Sequence, residues 1–204
     1  MSQPFFISIE GIDGAGKSTH LPAIADRLQQ QGARLCQTRE PGGTPLAEQL
    51  RALLLKEPMD ALTEAMLMFS ARRDNVLSVI RPALARGEVV LADRFADSSF
   101  AYQGGGRKVP LAALQQLEAW ACEGLKPDLT LWFALDPAEA ARRRGLARDA
   151  DRIESEDLSF FQRVHQAYED RALADPHRFV RLDSSLSQAA VSQAVLAALQ
   201  ERGW

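Results

Sequence analysis

The chain has 204 residues, 46% of them hydrophobic and 25% charged, with a formal net charge of −3 at pH 7. That length and balance fit one globular domain spanning residues 1–204 and exclude a disordered chain. The charge argues against a duplex-DNA binder, which usually carries a basic domain, and no apolar run reaches the roughly 18 residues of a membrane helix.

Met1 to Phe6 lacks a basic segment followed by a long apolar one, so no secretion signal is expected. Cys36 and Cys122 form neither a disulfide framework nor a metal-ligand spacing and read as reduced thiols of a cytoplasmic protein. The first strand is predicted at Phe5-Phe6-Ile7-Ser8-Ile9. A helix follows, closing at Gln31-Gly32; Pro22 lies early in it, where unpaired N–H groups make its missing donor cheap. Ala33 to Thr38 is a weaker strand. Thr44-Pro45 opens a second helix with proline at its first position. A long amphipathic stretch over residues 61–81 should break near Pro82, and a further turn should stop at Gly87. Val89 to Ala92 and Leu129 to Leu135 are continuous apolar runs, as for strands covered on both faces, and Phe179 to Leu182 is a shorter one. Asp136-Pro137-Ala138-Glu139 reads as a capping box, and Ser185 to Gln188 caps the last helix. This alternation predicts an α/β fold of about five parallel strands with helices on both faces. Ligands should bind at the carboxyl ends of the strands.

After the first strand comes Gly11-Ile12-Asp13-Gly14-Ala15-Gly16-Lys17-Ser18, a G-x4-G-K-[ST] pattern between strand and helix. Its glycines let backbone N–H groups converge on phosphate oxygens, and the following helix presents its positive end there. Lys17 would reach the β- and γ-phosphates of a nucleotide and Ser18 would hold Mg²⁺. The bland alternative is a glycine-rich turn with no ligand.

Val89 to Ala92 delivers Asp93-Arg94 to the same sheet edge. Asp93 could hold Mg²⁺ through water and Arg94 could grip a second anion; an internal ion pair is the alternative. Arginine outnumbers lysine 20 to 4, and five arginines crowd into Arg142, Arg143, Arg144, Arg148 and Arg152. They form either a solvated basic face or a mobile lid, over about residues 141–154, that neutralises a transferring phosphoryl group. An acceptor phosphate is already mostly dianionic at pH 7, so no strong general base is required. His20, His165 and His177 are scattered and receive no role.

Several segments in chain order resemble the bacterial thymidylate kinase family. They are the loop at 10–18, Thr38-Arg39-Glu40-Pro41-Gly42-Gly43-Thr44, Phe69-Ser70-Ala71-Arg72-Arg73, and Asp93-Arg94-Phe95 with Ser98 and Ser99. Ala101-Tyr102-Gln103-Gly104-Gly105-Gly106-Arg107 and Asp151-Arg152-Ile153-Glu154 complete the set. The resemblance implies a three-layer P-loop kinase fold that makes dTDP from dTMP and ATP with Mg²⁺, for dTTP synthesis. Phe69 would stack on thymine and Arg73, neighboured by Arg72, would hydrogen-bond a base carbonyl. Ser99 and Gln103 would line the base pocket, and Tyr102 would lie under the deoxyribose. Arg94 would bind the acceptor phosphate, Asp13 would lie near both phosphates, and Arg39 and Glu40 would lie near the acceptor. Residues 11–18 would bind ATP. The loop carries no arginine, so the catalytic arginine is expected in the lid, at Arg148 or Arg152. The resemblance also implies a homodimer paired through long helices, with neither nucleic acid nor membrane as partner. Another monophosphate or nucleoside kinase of the same fold is the near alternative, and a P-loop ATPase or switch the distant one.

Overall fold

A computed structural model of the chain describes residues 3–144 and 151–204. The predicted runs form five strands among the described residues: β1 (Phe5–Glu10), β2 (Leu35–Arg39), β3 (Val89–Asp93), β4 (Leu129–Ala134) and β5 (Phe179–Asp183). The connecting helices are α1 (Lys17–Gln30), α2 (Pro45–Lys56), α3 (Ala61–Asn75), α4 (Arg81–Ala85), α5 (Ala96–Ser99), α6 (Leu111–Cys122), α7 (Pro137–Arg144), α8 (Leu158–Ala174) and α9 (Gln188–Glu201).

All strand pairs are parallel, in the order β2-β3-β1-β4-β5. Alternate residues of β1 face opposite sides of the sheet. Ile7 and Ile9 cluster with Ile24 and Leu28 of α1 and with Val191, Val195 and Leu199 of α9. Phe6, with Val90 and Ala92 of β3, clusters instead with Phe69 of α3 and Leu114 of α6. Trp132 of β4 stacks on Tyr168 of α8, ring centroids 6.0 Å apart. Helices therefore cover both faces, as the apolar runs required. The strand order places β1 beside β3, so the loops after these two strands open at one edge.

Helix ends follow the sequence signals. Thr44 accepts the N–H of Ala47 at the start of α2, and Ser187 that of Ala190 at the start of α9. Asp136 accepts the N–H groups of Ala138 and Glu139. Its expected reciprocal partner does not reach back: the Glu139 carboxylate pairs with Arg142 and Arg143, three and four residues on. Pro82 does not break the long helix either. A π-helical turn at Val76–Ile80 precedes it and carries the helix on to Ala85. Pro22 sits in the second turn of α1, beyond the four free N–H groups, and the helix runs through it to Gln30.

Candidate active site

The turn after β1 brings its backbone close to β4. Gly11 has φ 137°, and a Cβ there would lie 2.5 Å from the Phe133 carbonyl oxygen, so only glycine fits. Gly16, at φ 87°, caps α1 and turns the helix start into the loop. The side chains of Ile12 and Ala15 are buried in the core, which leaves their backbone to line the loop. Lys17 lies across this turn, its Nζ donating to the carbonyls of Gly11 at 2.8 Å and Ile12 at 3.1 Å. Burial, reinforced by the positive charge of Arg94, pushes its ammonium pKa down.

β3 delivers Asp93 and Arg94 beside this loop. Arg94 adopts φ 74°, a conformation rare for a side chain with a Cβ, and this turn aims the guanidinium back across the loop mouth. Its Nη2 donates to Asp13 Oδ1 at 2.6 Å and its Nη1 to the Gly11 carbonyl at 2.9 Å. Burial alone would raise the Asp13 carboxyl pKa, but Arg94 and Lys17 override it and hold the group well below the usual carboxylate range. Ser98, Tyr168 and Tyr102 hydroxyls lie 3.1–3.4 Å from the same guanidinium. The alternative reading, an Asp93–Arg94 ion pair, does not hold; the partner of Arg94 is Asp13. Asp93 instead keeps Oδ1 buried with no hydrogen-bond donor and lines the same cavity as Ser18, Lys17 and Arg94.

A second cleft opens next to this cradle. It is lined by Glu40, Met68, Arg72, Ser99, Tyr102 and Gln103, and it shares Asp13, Glu40, Arg51 and Arg94 with the cradle. Arg72 is 2% exposed and held on three sides, leaving two of its five N–H donors over: Nε donates to Glu40 at 2.7 Å, Nη1 to Ser99 at 3.1 Å and Nη2 to the Phe95 carbonyl at 3.1 Å. Arg51, from α2, donates to the Pro41 carbonyl at 2.9 Å and stands at the junction of cradle and cleft. A third pocket lies on the far side of the loop, between Gly16, Thr19, His20, Arg143, Ser184 and Leu186.

Three residues are placed otherwise than the sequence suggests. Phe69 is 2% exposed and lies in the core beneath Arg72, whose guanidinium is 4.6 Å from its ring centroid; Met68 lines the cleft in its place. Arg73 points to the surface, where it pairs with Glu123 at 2.8 Å and donates to the Trp120 carbonyl at 3.1 Å. The cause is helix phase: residues 68 and 72 share one face, and 69 and 73 share the next, about 100° round. Arg152 binds Glu64 at 2.7 Å and the Leu54 carbonyl at 2.8 Å, tying the end of the lid segment to α2 and α3 rather than reaching the cradle. Arg39 lines the cradle cavity beside Glu40, Arg51 and Arg94, which the acceptor cleft shares, and pairs with Glu48. Arg148 lies outside the described residues. Arg51 and Met68 went unnoticed in sequence; Arg51 is one of 20 arginines on an ordinary helix with no motif around it, and Met68 reads as one more apolar residue of its helix.

The profile of the thymidylate kinase family matches residues 9–195. The chain belongs to the thymidylate kinase family. Among curated thymidylate kinases, that of Paracidovorax citrulli is 54% identical, covering 98% of this chain and 94% of the relative. That of Albidiferax ferrireducens is 51% identical over 100% of this chain and 98% of the relative. The crystal structure of thymidylate kinase from Ehrlichia chaffeensis superposes with a TM-score of 0.79 at 31% identity, covering 97% of this chain and 98% of that one. A thymidylate kinase must hold two phosphate-bearing substrates head to head, and the cradle and cleft described above meet in that way.

Proposed function

We propose that this chain transfers the γ-phosphoryl group of ATP to dTMP, giving ADP and dTDP. One observation carries the reading: the acceptor cleft and the phosphate cradle share a wall made of Asp13, Glu40, Arg51 and Arg94. Two polyanions can meet there only if cations stand between them, and two guanidinium groups do.

In this reading the loop backbone from Gly14 to Ser18 and the Lys17 ammonium hold the β- and γ-phosphates. Adenine occupies the pocket beside Arg143 and Leu186. dTMP lies in the cleft, its base between Met68, Arg72, Ser99 and Gln103 and its deoxyribose against Tyr102. Arg94 and Arg51 hold its phosphate. An oxygen of that phosphate attacks the γ-phosphorus in line; the new O–P bond forms as the bond to the β-phosphate oxygen breaks, and ADP leaves. The phosphate is a dianion at neutral pH, so no residue need remove a proton. Arg152 is committed to Glu64, so the lid arginine assigned to the transferring group is Arg148.

The site also fits a magnesium ion. Asp93 offers a buried carboxylate oxygen with no donor, and Ser18 offers a hydroxyl in the same cavity, both hard oxygen ligands. When bound, Mg²⁺ neutralises charge on the donor phosphates.

We also propose a homodimer. α3 carries Leu62 and Met66 one turn apart at 46% and 45% exposure, and α6 beside it carries Trp120 at 65%. Sedimentation that finds only monomer would contradict it. Among the described residues no helix is long and apolar enough to cross a membrane.

The reaction is tested by incubating the protein with Mg-ATP and dTMP and separating the nucleotides. Equal amounts of ADP and dTDP, with none when EDTA is added, support the reading. ADP without dTDP would make the protein an ATPase.

A further inference from the structure

We infer that Glu64, which does not line the cleft, sets the base specificity of this enzyme by fixing which end of the Gln103 amide faces the substrate. The inference rests on thymine being the base bound, as proposed above.

Glu64 lies in the first turn of α3, with its side chain 1% exposed. Three groups converge on its carboxylate. Arg152 donates at 2.7 Å and Arg107 at 3.3 Å, and Gln103 Nε2 donates at 2.9 Å. The two guanidinium groups already balance the charge, so charge pairing does not account for the third donor. A carboxylate flanked by two arginines only accepts hydrogen bonds. It therefore holds Gln103 by its NH₂ end, and the carbonyl end is turned toward the cleft that Gln103 lines. A primary amide in a neutral pocket could sit either way round; next to Glu64 it cannot without placing two acceptors face to face.

The polarity matters because pyrimidines differ at that edge. Thymine and uracil carry an N3–H donor, whereas cytosine carries a bare N3 acceptor. An amide carbonyl facing the base accepts from the first and opposes the second. Arg72, a donor on the same cleft, suits the O4 carbonyl of thymine and opposes the amino group of cytosine. Glu64 is thus a positioning residue that acts through Gln103 and touches no substrate. Its contact with Arg152 also joins the end of the lid segment to the base-reading side chain.

The test compares kcat/KM for dTMP and 5-methyl-dCMP, which differ only in the N3–C4 edge, in the wild type and in Glu64→Gln. A glutamine at 64 can donate or accept, so the Gln103 amide becomes free to turn. The dTMP preference is expected to fall by about tenfold or more, with a rise in absolute turnover of 5-methyl-dCMP that a loosened fold would not produce. In a Gln103→Ala background the same substitution should leave the preference unchanged. Glu64→Asp, still acceptor-only, should keep the preference even if both rates drop. A Glu64→Gln enzyme whose preference stays within about twofold of the wild type overturns the inference. Failure of the wild type to phosphorylate dTMP would instead overturn the proposed reaction. Should the variants not fold, neutron diffraction of the wild-type dTMP complex decides. Deuterium on Gln103 directed at Glu64 supports the assignment; deuterium directed at the base overturns it.

Discussion

Arg94 and Asp13 are joined by a 2.6 Å hydrogen bond that crosses from the loop after β3 to the loop after β1. The backbone of Arg94 adopts an unfavourable left-handed conformation to make it. The bond places one guanidinium against both the cradle and the acceptor cleft. Replacing Arg94 with alanine should lower kcat/KM for dTMP by about 10²–10³-fold while leaving KM for ATP nearly unchanged. Lysine restores charge but not the fork, and should recover little of the loss. Steady-state kinetics with each substrate varied in turn checks both.

Arg72 and Arg73 are adjacent in sequence and should behave oppositely. Arg72→Ala strands the buried carboxylate of Glu40, so it should cost about 3–5 kcal/mol of stability and raise KM for dTMP. Arg73→Ala removes a surface pair and should change stability by less than about 1 kcal/mol, with normal kinetics. Thermal melts and dTMP titrations of the two variants distinguish them. The reverse pattern would mean that the helix is rotated by one residue relative to the cleft.

That one-residue ambiguity shows where sequence stops. The cradle was legible because its chemistry is local: glycines, Lys17 and Ser18 are consecutive, flanked by a strand and a helix. The helix starts at Thr44 and Ser187 were legible for the same reason, since a cap and its donors lie within three residues. The phase of α3 was not legible. Its apolar residues fall on more than one face, so no pattern says whether 68/72 or 69/73 meets the ligand. Arg51, Glu64 and the anchoring of Arg152 depend on contacts between distant segments, 88 residues apart for Arg152 and Glu64. A spacing rule cannot reach that far.

Arg143 donates to the Ser184 carbonyl at 3.1 Å across the pocket assigned to adenine. Arg143→Ala should therefore raise KM for ATP several-fold and leave KM for dTMP within about twofold, since the exposed part of such a contact is weak. Equal effects on both substrates would remove adenine from that pocket.

Glu10 is buried beneath Arg94, where its carboxylate accepts from Phe95 N–H, Ser98 and Tyr168 at 2.6–2.9 Å. Burial, reinforced by the nearby Asp97 carboxylate, raises its pKa from 4.5 to about 7. The folded state thus holds this proton more tightly than the unfolded chain. Its contribution to stability is present in full below pH 4.5 and is lost as pH rises toward about 7, beyond which it stays constant. Asp13 has the opposite sign: its pKa is lowered, so its contribution is lost as pH falls below the ordinary value of 3.8. Glu10→Gln should flatten the decline in melting temperature between about pH 5 and pH 7 relative to the wild type. Parallel curves for the two proteins would show that Glu10 does not titrate there.

A thymine-reading cleft joined to an ATP cradle makes the choice of acceptor decisive. The most direct test is the rate of ADP formation from Mg-ATP with dTMP, dUMP, dCMP, dGMP, AMP, UMP and thymidine as acceptors, and with none. The highest kcat/KM is expected for dTMP, with no turnover of thymidine and negligible ADP without an acceptor. Faster turnover of another monophosphate, or ADP release with no acceptor present, would contradict it.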